Sequence, residues 1–112
     1  KPSGREEAKA FLRAFSGQWQ TVVTGLALVS EGKVWTDCEE TRLKVNVLSD
    51  DMIERYLDGC VWHDKAGGYS IIGPSGLIVE RIEGSFYNVA GLPTGALARL
   101  LLKGNIDLWD HL

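Results

Sequence analysis

The run Val22-Val23-Thr24-Gly25-Leu26-Ala27-Leu28-Val29, followed at once by Ser30-Glu31-Gly32-Lys33 and a second extended stretch, constrains the fold more than any other part of the chain. A nearly continuous apolar run of this length reads as a strand covered on both faces. Ser30 to Lys33 reads as a turn, because Gly32 supplies the positive φ of a tight reversal. Val34-Trp35-Thr36 resumes a strand, and Thr41-Arg42-Leu43-Lys44-Val45-Asn46-Val47 alternates so that one face should be wet. Two strands joined by a short turn run antiparallel, so the sheet cannot be purely parallel. Asp37, Glu39 and Glu40 cluster between the strand pieces, as a solvated bulge or charged edge or else as a place for a cation.

Helical periodicity flanks this hairpin. Ser3 with Glu6 three residues later forms a capping box ahead of Ala8, Phe11, Leu12 and Phe15, and Gly17 ends that helix. Ser49 caps a second helix, where Asp50 and Asp51 suit the dipole and Met52, Ile53, Tyr56 and Leu57 form the buried face. Residues 60–76 read as a loop. A strand centres on Leu77-Ile78-Val79, a turn falls at Glu83-Gly84-Ser85, and another strand covers Phe86-Tyr87-Asn88-Val89. Gly91-Leu92-Pro93 opens the last helix, with Ala96, Leu97, Leu100 and Leu101 as its stripe and Gly104 as its end. Ile106, Leu108 and Trp109 should dock the tail on the body. The expected class is α/β with a mixed sheet and about three helices, in a single domain over residues 1–112 without internal repeats.

Composition narrows the function classes. The 112 residues are 45% hydrophobic and 24% charged, as in a globular domain large enough for a modest core. Net charge is −3 with the signs interleaved, which argues against binding a nucleic-acid polymer. No apolar run is long enough for a membrane-spanning helix, and no secretory signal opens the chain. Cys38 and Cys60 have neither metal-site spacing nor the numbers of a disulfide framework, which fits a reducing cytoplasm. Because the chain starts at Lys1-Pro2 rather than methionine, it reads as a processed, cut or partial product. His63 and His111 lack the partners of a nucleophilic triad. The four tryptophans are not interleaved with a basic patch and read as core or interface residues.

The chemistry-bearing segment is Asp64-Lys65-Ala66-Gly67-Gly68-Tyr69, with a second polar, glycine-bounded turn at Glu83-Gly84-Ser85. Core packing alone has no use for a charged pair set before two glycines and a ring. Glycines beside Asp and Lys let backbone amides and an ammonium group approach an anion closely. The competing reading is a simple turn with a solvated lysine. Glu80 and Glu83 could reach a metal, or could merely face water at a strand end.

Six segments in register carry a resemblance: Lys1-Pro2, Val23-Thr24-Gly25, Glu40-Thr41, Asp64 to Tyr69, Glu80-Arg81-Ile82-Glu83-Gly84 and Asn88-Val89-Ala90-Gly91-Leu92-Pro93. The chain resembles the C-terminal part of the Maf family, septum-formation-inhibitor-like nucleoside triphosphate pyrophosphatases, over essentially all its length. The resemblance implies a fold similar to inosine triphosphate pyrophosphatases, with a cleft between two lobes. It implies hydrolysis of a standard or modified nucleoside triphosphate to monophosphate and pyrophosphate, with Mg or Mn as divalent cation, in a cytoplasmic homodimer. Attack would be in line, by water on the α-phosphorus, with cations absorbing the developing charge.

Lys1 matches an active-site lysine of the family pattern, expected to contact the triphosphate, against the alternative of a frayed terminus. Lys65 is expected to contact phosphate, with Asp64 as its partner or as organiser of the turn; a surface ion pair is the alternative. Gly67 belongs to the same substrate-binding turn, and Tyr69 would pack on the base or fill the core. Where the family shows Gly-Ile-Gln-Gly, this chain has Ser70-Ile71-Ile72-Gly73. Ile72 therefore replaces an amide able to pair with a base edge, which implies altered or relaxed specificity or lost activity. The family's Ser-x-Ser-x-Arg-Arg motif and its Ala-Asp-Thr segment with the proton-accepting Asp do not occur here. Two classes follow: a pyrophosphatase incomplete in this chain, or an inactive remnant acting as a binding or dimerisation module.

Overall fold

A two-residue turn organises the sheet. Glu31 (φ +50°) and Gly32 (φ +76°) both occupy the left-handed region, the geometry that matches strand twist in a tight hairpin. They join β1 (Trp19–Ser30) to β2 (Lys33–Val45), and β2 pairs on its other side with β3 (Val79–Glu83), giving an antiparallel order β1-β2-β3. The helices are α1 (Arg5–Phe15), α2 (Asp50–Gly59), α3 (Phe86–Ala90) and α4 (Thr94–Lys103), so the fold is a mixed α/β one as expected. This computed structural model describes residues 1–65, 67–74 and 76–112 in full, and Ala66 and Ser75 through their backbone. No helix among the described residues is long and apolar enough to cross a membrane.

The chain divides into two compact units, residues 1–21 with 42–83 and residues 22–41 with 84–112. In the first, Ala8 and Leu12 of α1, Leu43 and Val45 of β2, and Ile53 and Leu57 of α2 are buried. Charge ties the two helices together: Glu54 accepts from Arg5 at 2.6 Å and pairs with Lys9, while Arg5 also reaches Asp58 at 2.9 Å. Ser49 caps α2 as expected, its hydroxyl accepting from the Met52 amide at 3.1 Å. In the second unit, Ala96 and Leu100 of α4 are buried, and a side chain on Gly104 would strike Leu28 at 2.8 Å.

Several local expectations are corrected. β1 is covered on one face only: its residues alternate between half-buried and exposed, and Val23 is 62% exposed. An antiparallel hairpin can leave one face wet whatever its hydropathy. The two strand pieces expected over 34–47 are one strand, β2, which ends at Val45, and in it Asp37 and Glu39 turn toward α4 and meet Arg99 at 3.3 and 3.8 Å. The Cys38 amide, then Arg99, holds the Asp37 carboxyl below the usual carboxylate range. Phe86 to Val89 is helical rather than extended, because the Ser85 hydroxyl accepts from the Asn88 amide and starts α3. Residues Gly73–Ile78 form 3₁₀ turns, and the strand begins only at Val79. Gly4, not Ser3, precedes α1; Ser3 instead bonds the Glu7 carboxylate through its amide and hydroxyl. The tail makes a 3₁₀ turn over Leu108–His111 that leaves Trp109 80% exposed.

Candidate functional site

All six residues singled out from the sequence, Lys1, Asp64, Lys65, Gly67, Tyr69 and Ile72, lie in the first unit. The turn around Gly67 is built by short backbone bonds: the Lys65 amide donates to the Trp62 carbonyl at 3.2 Å, and the Gly68 amide to the Lys65 carbonyl at 2.9 Å. Gly67 and Gly68 have φ of +73° and +86°, which a side chain would strain. Space forbids one as well. A methyl group on Gly67 would lie 2.8 Å from Phe15 Cε2 and 3.3 Å from Tyr69 Cε1. Core packing thus does use this glycine pair, contrary to the expectation from sequence.

Gly68 also brings the chain's first residues to the turn. Pro2 is buried, and its Cγ lies 3.9 Å from where a Gly68 side chain would start, beside Ala8 at the same distance. Lys1 itself is exposed. Asp64 is exposed and Lys65 half-buried, and among the described residues neither takes part in an ion pair. Of the two roles expected for Asp64, partner of Lys65 or organiser of the turn, the ion pair is not formed among the described residues.

Aromatic rings wall the turn. Tyr69 meets Phe15 edge to face, with ring centroids 6.2 Å apart and planes at 74°, and burial pushes its phenol up from the ordinary value. Trp62 is buried, donates to the Leu57 carbonyl at 3.1 Å and stacks on His63. Tyr56, which periodicity identified only as core, has a further part: its hydroxyl donates to the Gly68 carbonyl at 2.5 Å. Burial, with a smaller contribution from Cys60, pushes the Tyr56 phenol up to about 12, so it stays a donor at neutral pH. Nothing in the helical spacing could have signalled that bond, because it joins α2 to a loop.

Ile72 is 59% exposed, and its amide donates to the Ser70 hydroxyl at 3.2 Å just before Gly73, whose φ is +70°. A separate cleft of about 270 Å³, lined by Leu48, Met52, Tyr56, Cys60, Leu77 and Ile78 among others, contains none of the six. Among the described residues no three His, Cys, Asp or Glu side chains converge as metal ligands would. The arrangement can hold a cation beside a rigid backbone turn, which is chemistry for binding an anion rather than for abstracting a proton.

The second glycine-bounded segment is of another kind. A side chain on Gly84 would meet Thr41 at 3.0 to 3.1 Å, and Asn88 is only 2% exposed. The Asn88 amide nitrogen lies within 3.2 Å of the Val22 and Glu39 carbonyls and the Thr41 hydroxyl, and the Ser85 amide donates to that hydroxyl at 3.1 Å. These residues fasten α3 to the hairpin within the second unit.

Comparison with known proteins finds relatives along nearly the whole chain. A dTTP/UTP pyrophosphatase of Pyrococcus furiosus is 44% identical over 105 residues, 94% of this chain and 55% of that protein. One of Chlamydia caviae is 41% identical over 112 residues, 100% of this chain and 57% of its own length, and one of Acetivibrio thermocellus is 43% identical over 103 residues, 90% and 52%. The chain therefore spans about half the length of the curated relatives it matches. The family model described as Maf-like protein matches residues 1–104, and with these identities the chain belongs to the Maf family.

Proposed function

We propose that this chain forms the phosphate-contacting part of a nucleoside triphosphate pyrophosphatase, releasing pyrophosphate from a pyrimidine triphosphate such as dTTP or UTP. The observation that carries the reading is the packing of Pro2 beside Gly68, which brings the adjoining Lys1 toward the turn that presents Lys65. Two ammonium groups from distant parts of the sequence are a suitable counter-charge for a triphosphate in a chain whose net charge is −3. The pyrophosphatase names of the relatives support the reaction class.

In this reading Lys1 and Lys65 neutralise phosphate oxygens, Gly67 lets the backbone come close, and Tyr56 keeps the turn from shifting. A divalent cation belongs to the proposal as a partner of the substrate phosphates; magnesium keeps several waters and needs only one or two protein carboxylates, of which exposed Asp64 is the candidate. Ile72 offers the base an alkyl surface in place of an amide, so discrimination between base edges is expected to be weak. A homodimer in the cytoplasm is the setting we propose. The test is pyrophosphate release from dTTP, UTP, CTP and ATP by the complete gene product, with Lys65→Met beside it. Loss of about 100-fold in kcat/KM, with stability changed by less than about 0.5 kcal/mol, is expected. Undiminished activity in Lys65→Met would remove the assignment, and an unchanged substrate profile in Ile72→Gln would remove the specificity argument.

A further inference from the structure

The wet face of the sheet in the first unit carries a feature that the pyrophosphatase reading does not use. Arg42 and Lys44 are two apart on β2 and point to the same side, opposite Glu83 and Arg81 of β3. Lys44 and Arg81 are thus direct cross-strand neighbours of like charge, an arrangement that destabilises an antiparallel pair. A bulge adds to it. Lys44 pairs with Arg81 and Val45 with Val79, so Glu80 is the extra residue, and both Glu80 and Arg81 emerge on the exposed side. Trp19, Lys44, Glu80 and Arg81 line a shallow depression there, and the Arg42 guanidinium lies 4.4 Å from the centre of the Trp19 ring.

We propose that this depression is a binding site for a nucleoside monophosphate, separate from the Lys65 turn. Three cations and two carboxylates give the patch a charge of +1 in a chain of net charge −3, a local excess suited to one phosphate. The carboxylates neutralise the cations only loosely: Lys44 to Glu80 is 3.5 Å, Arg42 to Glu83 3.5 Å and Arg81 to Glu83 3.7 Å, all between largely exposed groups. Such pairs exchange readily for a phosphate, which accepts from Lys44 and Arg81 at once and relieves their repulsion. Trp19 is 37% exposed with the Arg42 guanidinium over one part of its ring, so the planar base would stack on the remaining exposed aromatic and guanidinium surface. Glu80, which lines the same depression, would accept from a ribose hydroxyl once the phosphate has taken Lys44 from it.

The test follows the Trp19 indole N–H signal by NMR in the full chain, assigned by loss in Trp19→Phe, during titration with UMP, uridine and inorganic phosphate. A saturable UMP shift is expected, at least tenfold weaker for uridine and for phosphate alone. Arg81→Glu and Lys44→Gln should each weaken it at least tenfold, with the other three indole signals reporting an intact fold, while Lys65→Met leaves it unchanged. No shift with millimolar UMP, equal binding of uridine or of phosphate alone, or wild-type binding in both variants would overturn the proposal. Loss of the shift in Lys65→Met would assign the ligand to the other site and overturn it equally. Because the readout is binding at Trp19, failure of the pyrophosphatase reading leaves this outcome independent.

Discussion

Two glycine-bounded polar segments, Asp64 to Tyr69 and Gly84 to Pro93, look alike in sequence and behave oppositely in the structure. The first packs its glycines against Phe15, Ala8 and Pro2 and leaves Asp64 exposed and Lys65 half-buried. The second buries its polar residue, Asn88, and spends that residue's hydrogen bonds on the hairpin backbone. A polar residue in a glycine-bounded motif is thus a binding candidate only where its polar atoms are not already engaged. By that criterion Lys65 stays a candidate for ligand contact, whereas the side-chain nitrogen of Asn88 is taken up in fastening α3 and only its buried Oδ1 lacks a partner among the described residues.

The comparison breaks most visibly at Asn88. Asn88→Ala strips partners from the Thr41 hydroxyl and from two carbonyls, and should cost roughly 3–4 kcal/mol in urea unfolding. A loss below about 1 kcal/mol would mean that the network does not hold α3. Gly67→Ala comes next, at about 2–3 kcal/mol, because the new methyl meets both a positive φ and Phe15. If it proves neutral, the turn is looser than the packing implies.

Tyr56→Phe should cost about 1–2 kcal/mol by leaving the Gly68 carbonyl unpaired. It carries a pH signature as well. The Tyr56 phenol is raised in the fold to about 12, so the folded state holds its proton more tightly than the unfolded chain. That stability is fully present below the ordinary tyrosine value and is lost as pH rises from about 10 toward about 12. An alkaline unfolding series should therefore slope less over this window in Tyr56→Phe than in the parent.

The smallest effect concerns the charges that tie α1 to α2 behind the turn. The Lys9 bond first, and the Arg5 bond second, hold the Glu54 carboxyl below its ordinary range. Stability from this group is present above the ordinary carboxylate range and is lost as pH falls through the lowered folded value. Glu54→Gln should flatten that part of an acid unfolding series and make it less sensitive to salt. An unaltered acid limb would show that these exposed charges contribute nothing measurable.

How much was legible depended on range. The hairpin was readable because Glu31-Gly32 carries its own geometry, and the alternation over Thr41 to Val47 announced the wet face on which Arg42 and Lys44 stand. Phe86 to Val89 was misread as a strand because a short apolar run has no period long enough to separate helix from strand. Its conformation turns on Ser85 as cap and on the backbone acceptors that Asn88 reaches. Tyr56 was legible as core but not as the clamp on Gly68, since the bond spans elements that no local pattern connects.

The amino-acid sequence alone determined the family, the hairpin, the capped second helix and the positions of the lysines and glycines, because these rest on local backbone preferences and on motifs kept in order. The tertiary structure decided which of those residues are occupied: glycines claimed by Phe15 and Pro2, Asn88 claimed by the hairpin, Lys65 without a carboxylate partner among the described residues, and Lys44 set against Arg81 by a bulge. Long-range contact and desolvation settle such matters, and neither is written in the spacing of residues along a chain.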